Sequence, residues 1–175
     1  MEEDQMLQQI LAISEGFGAR CRKFTGAVTV EVFRAFLIRH GFAVSLRDVF
    51  IRGVPVEIDL LLPAKSAAAK HRILYEPDQV ICALEVKKLG SFGEPAVKAI
   101  KKNFDAITQR HSNIRCAYVT LEERKGYTRI PTQSKIGYPC FTLFLHWTTK
   151  GNLQREATGD WTRLLGFLHK TCGTD

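Results

Sequence analysis

The sequence predicts one α/β domain spanning residues 1–175: a mixed central sheet flanked by helices, with a short N-terminal helix and a C-terminal strand and helix. Three observations predict it. Apolar residues repeat at helical spacing up to about residue 40, change to a period of two near residue 43, and then switch between the two periods to the end. One helix-length segment, 94–111, crosses from the third strand to the fourth, which layers helix on sheet. Of the 175 residues, 45% are hydrophobic and 25% charged, a composition that supports one buried core and excludes a mostly disordered chain.

The elements follow in order. Met6, Leu7, Ile10 and Leu11 form a helical stripe in the first ~15 residues, stopped near Gly16 and Gly18. GARCRKFTG reads as a basic loop. A strongly apolar helix runs from about Val28 to His40, with Gly41 as its C-terminal stop. AVSLRDVFIRG (43–53) and VPVEIDLLLP (54–63) read as strands joined tightly at Gly53. AKSAAAKHRILYEPD reads as a surface excursion. VICALEVKKL (80–89) is the third strand. Helix 94–111 has Pro95 in its first turn, where a missing N–H costs little. Val97, Ile100, Phe104 and Ile107 lie on one side of it, and Lys98, Lys101, Lys102, Asp105 and Gln109 on the other. Strands at 115–123 and 140–147 follow, then an amphipathic helix over about 160–170.

Composition narrows the function classes. Lys and Arg outnumber Asp and Glu by 25 to 18, and the net charge of +7 suits a polyanionic partner without requiring one. No apolar run approaches the ~18–20 residues of a membrane span. The acidic, polar opening MEEDQMLQQI is unlike a secretory signal, so a cytoplasmic location is expected. Five scattered cysteines contain no CxxC pair, and the five histidines form no HxH or HExxH grouping. A disulfide framework, a zinc hydrolase and a cluster-binding cysteine set are therefore not expected. Walker, GxSxG and GxGxxG motifs are absent from the sequence.

The informative residues are acidic ones inside apolar strands. Asp59 sits in Val54-Pro-Val-Glu-Ile-Asp-Leu-Leu-Leu62, and Glu85 and Lys87 sit in Val80-Ile-Cys-Ala-Leu-Glu-Val-Lys-Lys88. A carboxylate on a buried strand is costly unless a cation or hydrogen bonds compensate it. Strand alternation puts Glu57 with Asp59 on one face, and Glu85 with Lys87 on another. If the strands are neighbours, carboxylates and an ammonium converge. Hard oxygen ligands of this kind hold Mg²⁺ or Mn²⁺ and leave room for water and a phosphate oxygen, while a lysine beside them orients or helps deprotonate the water.

An acidic residue ending one strand, followed by Glu-x-Lys on the next, resembles the signature of the PD-(D/E)XK nuclease superfamily. Here it reads Asp59, then Glu85-Val86-Lys87 starting 26 positions on. The element order over about 26–123 also resembles the restriction-endonuclease-like αβββαβ core. Ile58 precedes the Asp, with Pro55 four positions before it. The resemblance implies that Asp59 and Glu85 bind divalent metal (Mg²⁺, with Mn²⁺ substituting), that the Val86 carbonyl is a further ligand, and that Lys87 assists the nucleophilic water. It also implies a Glu on the first core helix at the metal, for which Glu31 is the candidate. Glu31 shares a helix side with Val28, Ala35 and Ile38. A partly exposed Glu favoured by the helix dipole is the alternative.

Lys98, Lys101, Lys102 and Gln109 are either a solvated helix face or contacts to a nucleic-acid backbone, as are Arg20, Arg22 and Lys23 in the basic loop. The resulting expectation is a Mg²⁺-dependent deoxyribonuclease, endonucleolytic, acting on DNA in preference to RNA. A homodimer or a larger complex would supply what a single small domain lacks for specificity. The competing expectation is an inactive nuclease-fold module that binds nucleic acid or a protein partner.

Overall fold

The computed structural model describes residues 22–64, 72–89, 94–126 and 133–173. The expected helix in the first 15 residues, and Arg20, lie outside the described residues. Helix α1 spans Arg22–Arg39. It ends where Gly41 takes φ +83°, with Gly41 N–H donating to the Ile38 carbonyl at 3.0 Å and Phe42 N–H to the Leu37 carbonyl at 3.1 Å. This is the paired 5→2 and 6→1 closure of a Schellman motif, and it needs a residue free to adopt positive φ. The helix begins earlier than expected. Arg22 and Lys23 lie in its first turn rather than in a loop, because Arg and Lys propagate a helix well and the lone Gly26 costs only ~1 kcal/mol relative to Ala.

The central sheet has five strands in the order β2-β4-β5-β6-β7. They are β2 (Leu60–Pro63), β4 (Val80–Leu89), β5 (Arg115–Arg124), β6 (Cys140–Thr149) and β7 (Asn152–Ala157). The middle three run parallel and each edge strand is antiparallel to its neighbour. A separate parallel pair joins β1 (Phe50–Ile51) to β3 (Leu74–Tyr75), the latter within the stretch expected to be a surface excursion. The two expected strands over 43–63 are largely irregular. They still meet through reciprocal Val49–Ile58 backbone bonds of 3.0 and 2.9 Å, and the Ser45 hydroxyl accepts the Leu61 N–H at 2.8 Å. Asp48 at φ +56° breaks the regular ladder there.

Helices cover both faces. On one, Val30, Phe33 and Leu37 of α1 meet Leu60, Leu62, Cys82, Leu84, Val86 and Val119 of the sheet. Trp161, Leu164 and Leu168 of the C-terminal helix α4 (Asp160–Cys172) complete that layer. Trp161 packs edge-on to Phe36 and Phe144, with ring centroids 4.7 and 5.2 Å away. On the other face, Ile100, Phe104 and Ile107 of α2 (Glu94–Thr108) lie over Leu61, Ala83, Cys116 and Tyr118. The alternation of β4 thus buries Cys82, Leu84 and Val86 under α1 and α4 and turns Ala83, Glu85 and Lys87 to the α2 face.

Besides β3, further elements were not expected from the sequence. A one-turn helix, α3 (Gln133–Ile136), precedes β6. Strand β7 follows β6 through a two-residue turn in which Lys150 and Gly151 take φ +51° and +79°. Positive φ at both central residues gives the primed turn whose twist suits a hairpin. Among the described residues no helix is long and apolar enough to cross a membrane.

Candidate active site

Asp59 is the residue just before β2, and Glu85 and Lys87 lie on β4 beside it. Register pairs Leu60 with Leu84, so the ladder stops one step short of Asp59 and leaves the Val86 end of β4 without a strand partner on that edge. The Asp59 carboxylate fills the gap: its Oδ2 accepts the Val86 N–H at 2.7 Å and the Lys87 ammonium at 3.0 Å. Lys87 Nζ also donates to Glu85 Oε1 at 2.6 Å. One carboxylate on β4 and one just before its neighbour β2 therefore close on one ammonium, as strand alternation predicts if the two segments are neighbours. The carbonyl of Val86 points to the same edge as its N–H, because both groups of a strand residue face the same neighbour.

The electrostatics follow from crowding. Burial first, and then the Asp59 charge, raise the Glu85 carboxyl above the usual range; Lys87 opposes this and Glu57 adds to it. Burial disfavours the Lys87 ammonium, but Glu85 and Asp59 outweigh burial and lift its pKa above the ordinary lysine value. Lys87 is thus held as a cation between the two carboxylates. The Asp59 charge, and to a smaller extent that of Glu57, is felt at Glu85, so the corner carries more negative charge than one ammonium neutralises. Two carboxylates and a carbonyl form the partial oxygen set that Mg²⁺ accepts, with water completing its shell. The donor chemistry fits a hard divalent cation.

The remaining expected residues are placed differently. Glu31 pairs with Arg34 at 3.6 Å and with Arg47 at 3.8 Å, and Arg47 in turn holds Asp48 at 2.9 Å. The side of α1 carrying Glu31, Ala35 and Ile38 faces solvent, not the core; Ile38 is 46% exposed. The helix is apolar nearly all round, so a helical wheel does not single out the packed face. Asp48 N–H donates to the Asp59 carbonyl at 3.3 Å, so this ion-pair set stands next to the site without joining it.

Lys98, Lys101, Lys102 and Gln109 share an open groove of about 400 Å³ along α2 with Asp105 and Arg110. Lys98 pairs with Glu94 at 2.7 Å and Lys101 with Asp105 at 2.6 Å, one helical turn apart in each case. Sequence reasoning missed the β6–β7 edge of the sheet, where Glu122, His146 and Arg155 meet. Arg155 Nε donates to the buried Glu122 at 2.7 Å. The signal available was the Lys150-Gly151 pair between two polar runs, a turn cue with no apolar alternation to support it.

No family model and no curated protein matches the sequence. Among solved structures, that of P. aeruginosa ATCC27853 NucC in its cAAA-bound form is similar, with a TM-score of 0.63 at 10% identity, over 97% of this chain and 88% of that one. At that identity the likeness concerns the fold. Together with the mixed sheet and its flanking helices, it establishes that this chain has a restriction-endonuclease-like α/β fold.

Proposed function

We propose that the chain is a divalent-metal-dependent nuclease that hydrolyses DNA phosphodiester bonds within the strand. The observation that carries this is the closure of the Asp59 and Glu85 carboxylates on Lys87 at the irregular start of β2. On this reading Asp59, Glu85 and the Val86 carbonyl hold Mg²⁺, or Mn²⁺ in its place. The bound cation supplies charge neutralisation at the phosphoryl oxygens and an acidified water. Lys87, released from one carboxylate, holds the attacking water and faces charge developing at phosphorus. Water attacks in line with the leaving oxygen, whose bond to phosphorus breaks. Glu31 reaches such a site only by leaving Arg47 and Arg34. Lys98, Lys101, Lys102 and Gln109, with Arg20, Arg22 and Lys23, meet the backbone of the duplex.

A second reading is an inactive module in which Lys87 serves as a permanent internal cation; its contacts to both carboxylates favour that reading. Calorimetry separates the two. The nuclease reading expects Mn²⁺ to bind the wild type and Asp59→Asn to lose that binding, because Asn keeps an acceptor for Val86 N–H but not the charge. Absence of binding in the wild type favours the module.

A further inference from the structure

The parallel strands β4, β5 and β6 bring their C-terminal ends together at the end of the sheet where Lys87 stands. Lys87 is paired in register with Thr120, and Arg124 lies four residues farther along β5, ~13 Å at ~3.3 Å per residue. There Arg124 is paired with His146 of β6, and His146 with Arg155 of β7. The charges at this end are unevenly exposed. Glu122 and Glu123 are buried, at 4% and 2% exposure, and Glu122 is consumed by Arg155. Arg124, Lys125 and Lys150 are exposed, whereas Glu156 is the one exposed acid among residues 124–126 and 145–157. Glu156 is engaged by Lys125 at 3.0 Å, and Lys125 also lies 4.3 Å from the Trp147 ring centre. Cations therefore dominate the solvent side of this ledge. The field is felt inside it: burial lowers the His146 pKa first, Glu122 opposes, and Arg155, Arg124 and Lys88 lower it further.

We propose that this ledge, led by Arg124 with Lys150 at the β6–β7 turn, binds the phosphodiester backbone of the nucleic acid flanking the site. The inference rests on the nuclease reading and extends it with a second contact surface, separate from the α2 groove. At 3.4 Å of duplex axis per base pair, ~13 Å places the contact about four pairs from the reacting phosphate. Arg124 is held by its strand pairing with His146 and Lys150 by the two-residue turn, and among the described residues neither is in an ion pair, so the ledge is presented without reorganisation.

The test is fluorescence anisotropy of a labelled 24-pair duplex in EDTA, titrated at several salt concentrations. The proteins are the wild type, the double variant Arg124→Gln with Lys150→Asn, and Lys170→Gln on α4 as a control. Asn is chosen at 150 because it tolerates positive φ. The slope of log K against log salt should flatten by about two in the double variant and stay unchanged in the control. Far-ultraviolet melting checks that the variants are folded. An unchanged slope in a folded double variant overturns the ledge and leaves the nuclease reading standing. Retained duplex binding with lost binding to poly-glutamate would assign the ledge to an acidic protein, and also overturns it. A wild type that binds duplex with the expected slopes but cuts nothing with Mg²⁺ supports the ledge and removes the nuclease reading. A wild type that binds neither DNA nor RNA removes both.

Discussion

Replacing Lys87 with Met should separate stability, metal affinity and chemistry in opposite directions. The Lys87 side chain is 37% exposed, against 15% and 19% for those of Glu85 and Asp59. Its loss leaves two half-buried carboxylates facing each other, a case between a surface pair worth ~0–1 kcal/mol and a buried pair whose breaking costs ~3–5 kcal/mol. Urea unfolding in EDTA at pH 7.5 should therefore show a loss of about 1–3 kcal/mol. The same charge imbalance should tighten Mn²⁺ binding, because a competing cation has gone, and metal at 100 times its Kd should restore ~2.7 kcal/mol. Single-turnover cleavage at saturating enzyme and Mg²⁺ should nevertheless fall by ~10²–10⁴, the range for one positioned electrostatic or acid–base group. Weaker metal binding in Lys87→Met, or an unchanged single-turnover rate, would refute this reasoning.

Burial pushes the Glu123 carboxyl up to about 7 from an ordinary 4.5, against the Thr142 hydroxyl, which lowers it. The unfolded chain then loses its proton first, so this group costs the native state stability as pH rises from about 4.5 to about 7, and the cost is constant above that. Glu123→Gln should accordingly gain about 1–3 kcal/mol in urea melts at pH 8 and nothing near pH 4.5. Lys98→Ala with Lys102→Ala should flatten the salt dependence of duplex binding by about two units if both meet phosphates; an unchanged slope returns that groove to solvent. Leu84→Ala, beneath α1 and α4 at 0% exposure, should cost ~2–5 kcal/mol by calorimetry without changing Mn²⁺ affinity, since its side chain lies on the sheet face opposite Glu85.

Legibility in the sequence followed burial. Strands β4, β5 and β6 were readable because continuous apolar runs demand a covered strand, and α2 and α4 because their stripes are one-sided. The Asp59, Glu85 and Lys87 cluster was readable because charges stood out inside those runs. Strand β7 was not, since NLQREA is exposed almost throughout and pairs on an edge where no apolar face is required. The segment 43–63 misled because its alternation is real, but Asp48 at positive φ and the Ser45 hydroxyl at Leu61 N–H replace the regular ladder. The helix side on which Glu31 lies misled for the opposite reason. In a helix with apolar residues on every side, only tertiary packing decides which side is buried, and Val30, Phe33 and Leu37 are the side that packs.

The most direct test of the account is cleavage of an end-labelled duplex by the wild type and by Asp59→Asn, with Mg²⁺, with Mn²⁺ and in EDTA. A metal-dependent nuclease with Asp59 at its metal gives fragments with either metal, none in EDTA, and a rate at least ~100-fold lower in Asp59→Asn at equal protein stability. Cleavage by Asp59→Asn at the wild-type rate, or no cleavage by the wild type with either metal, would contradict it.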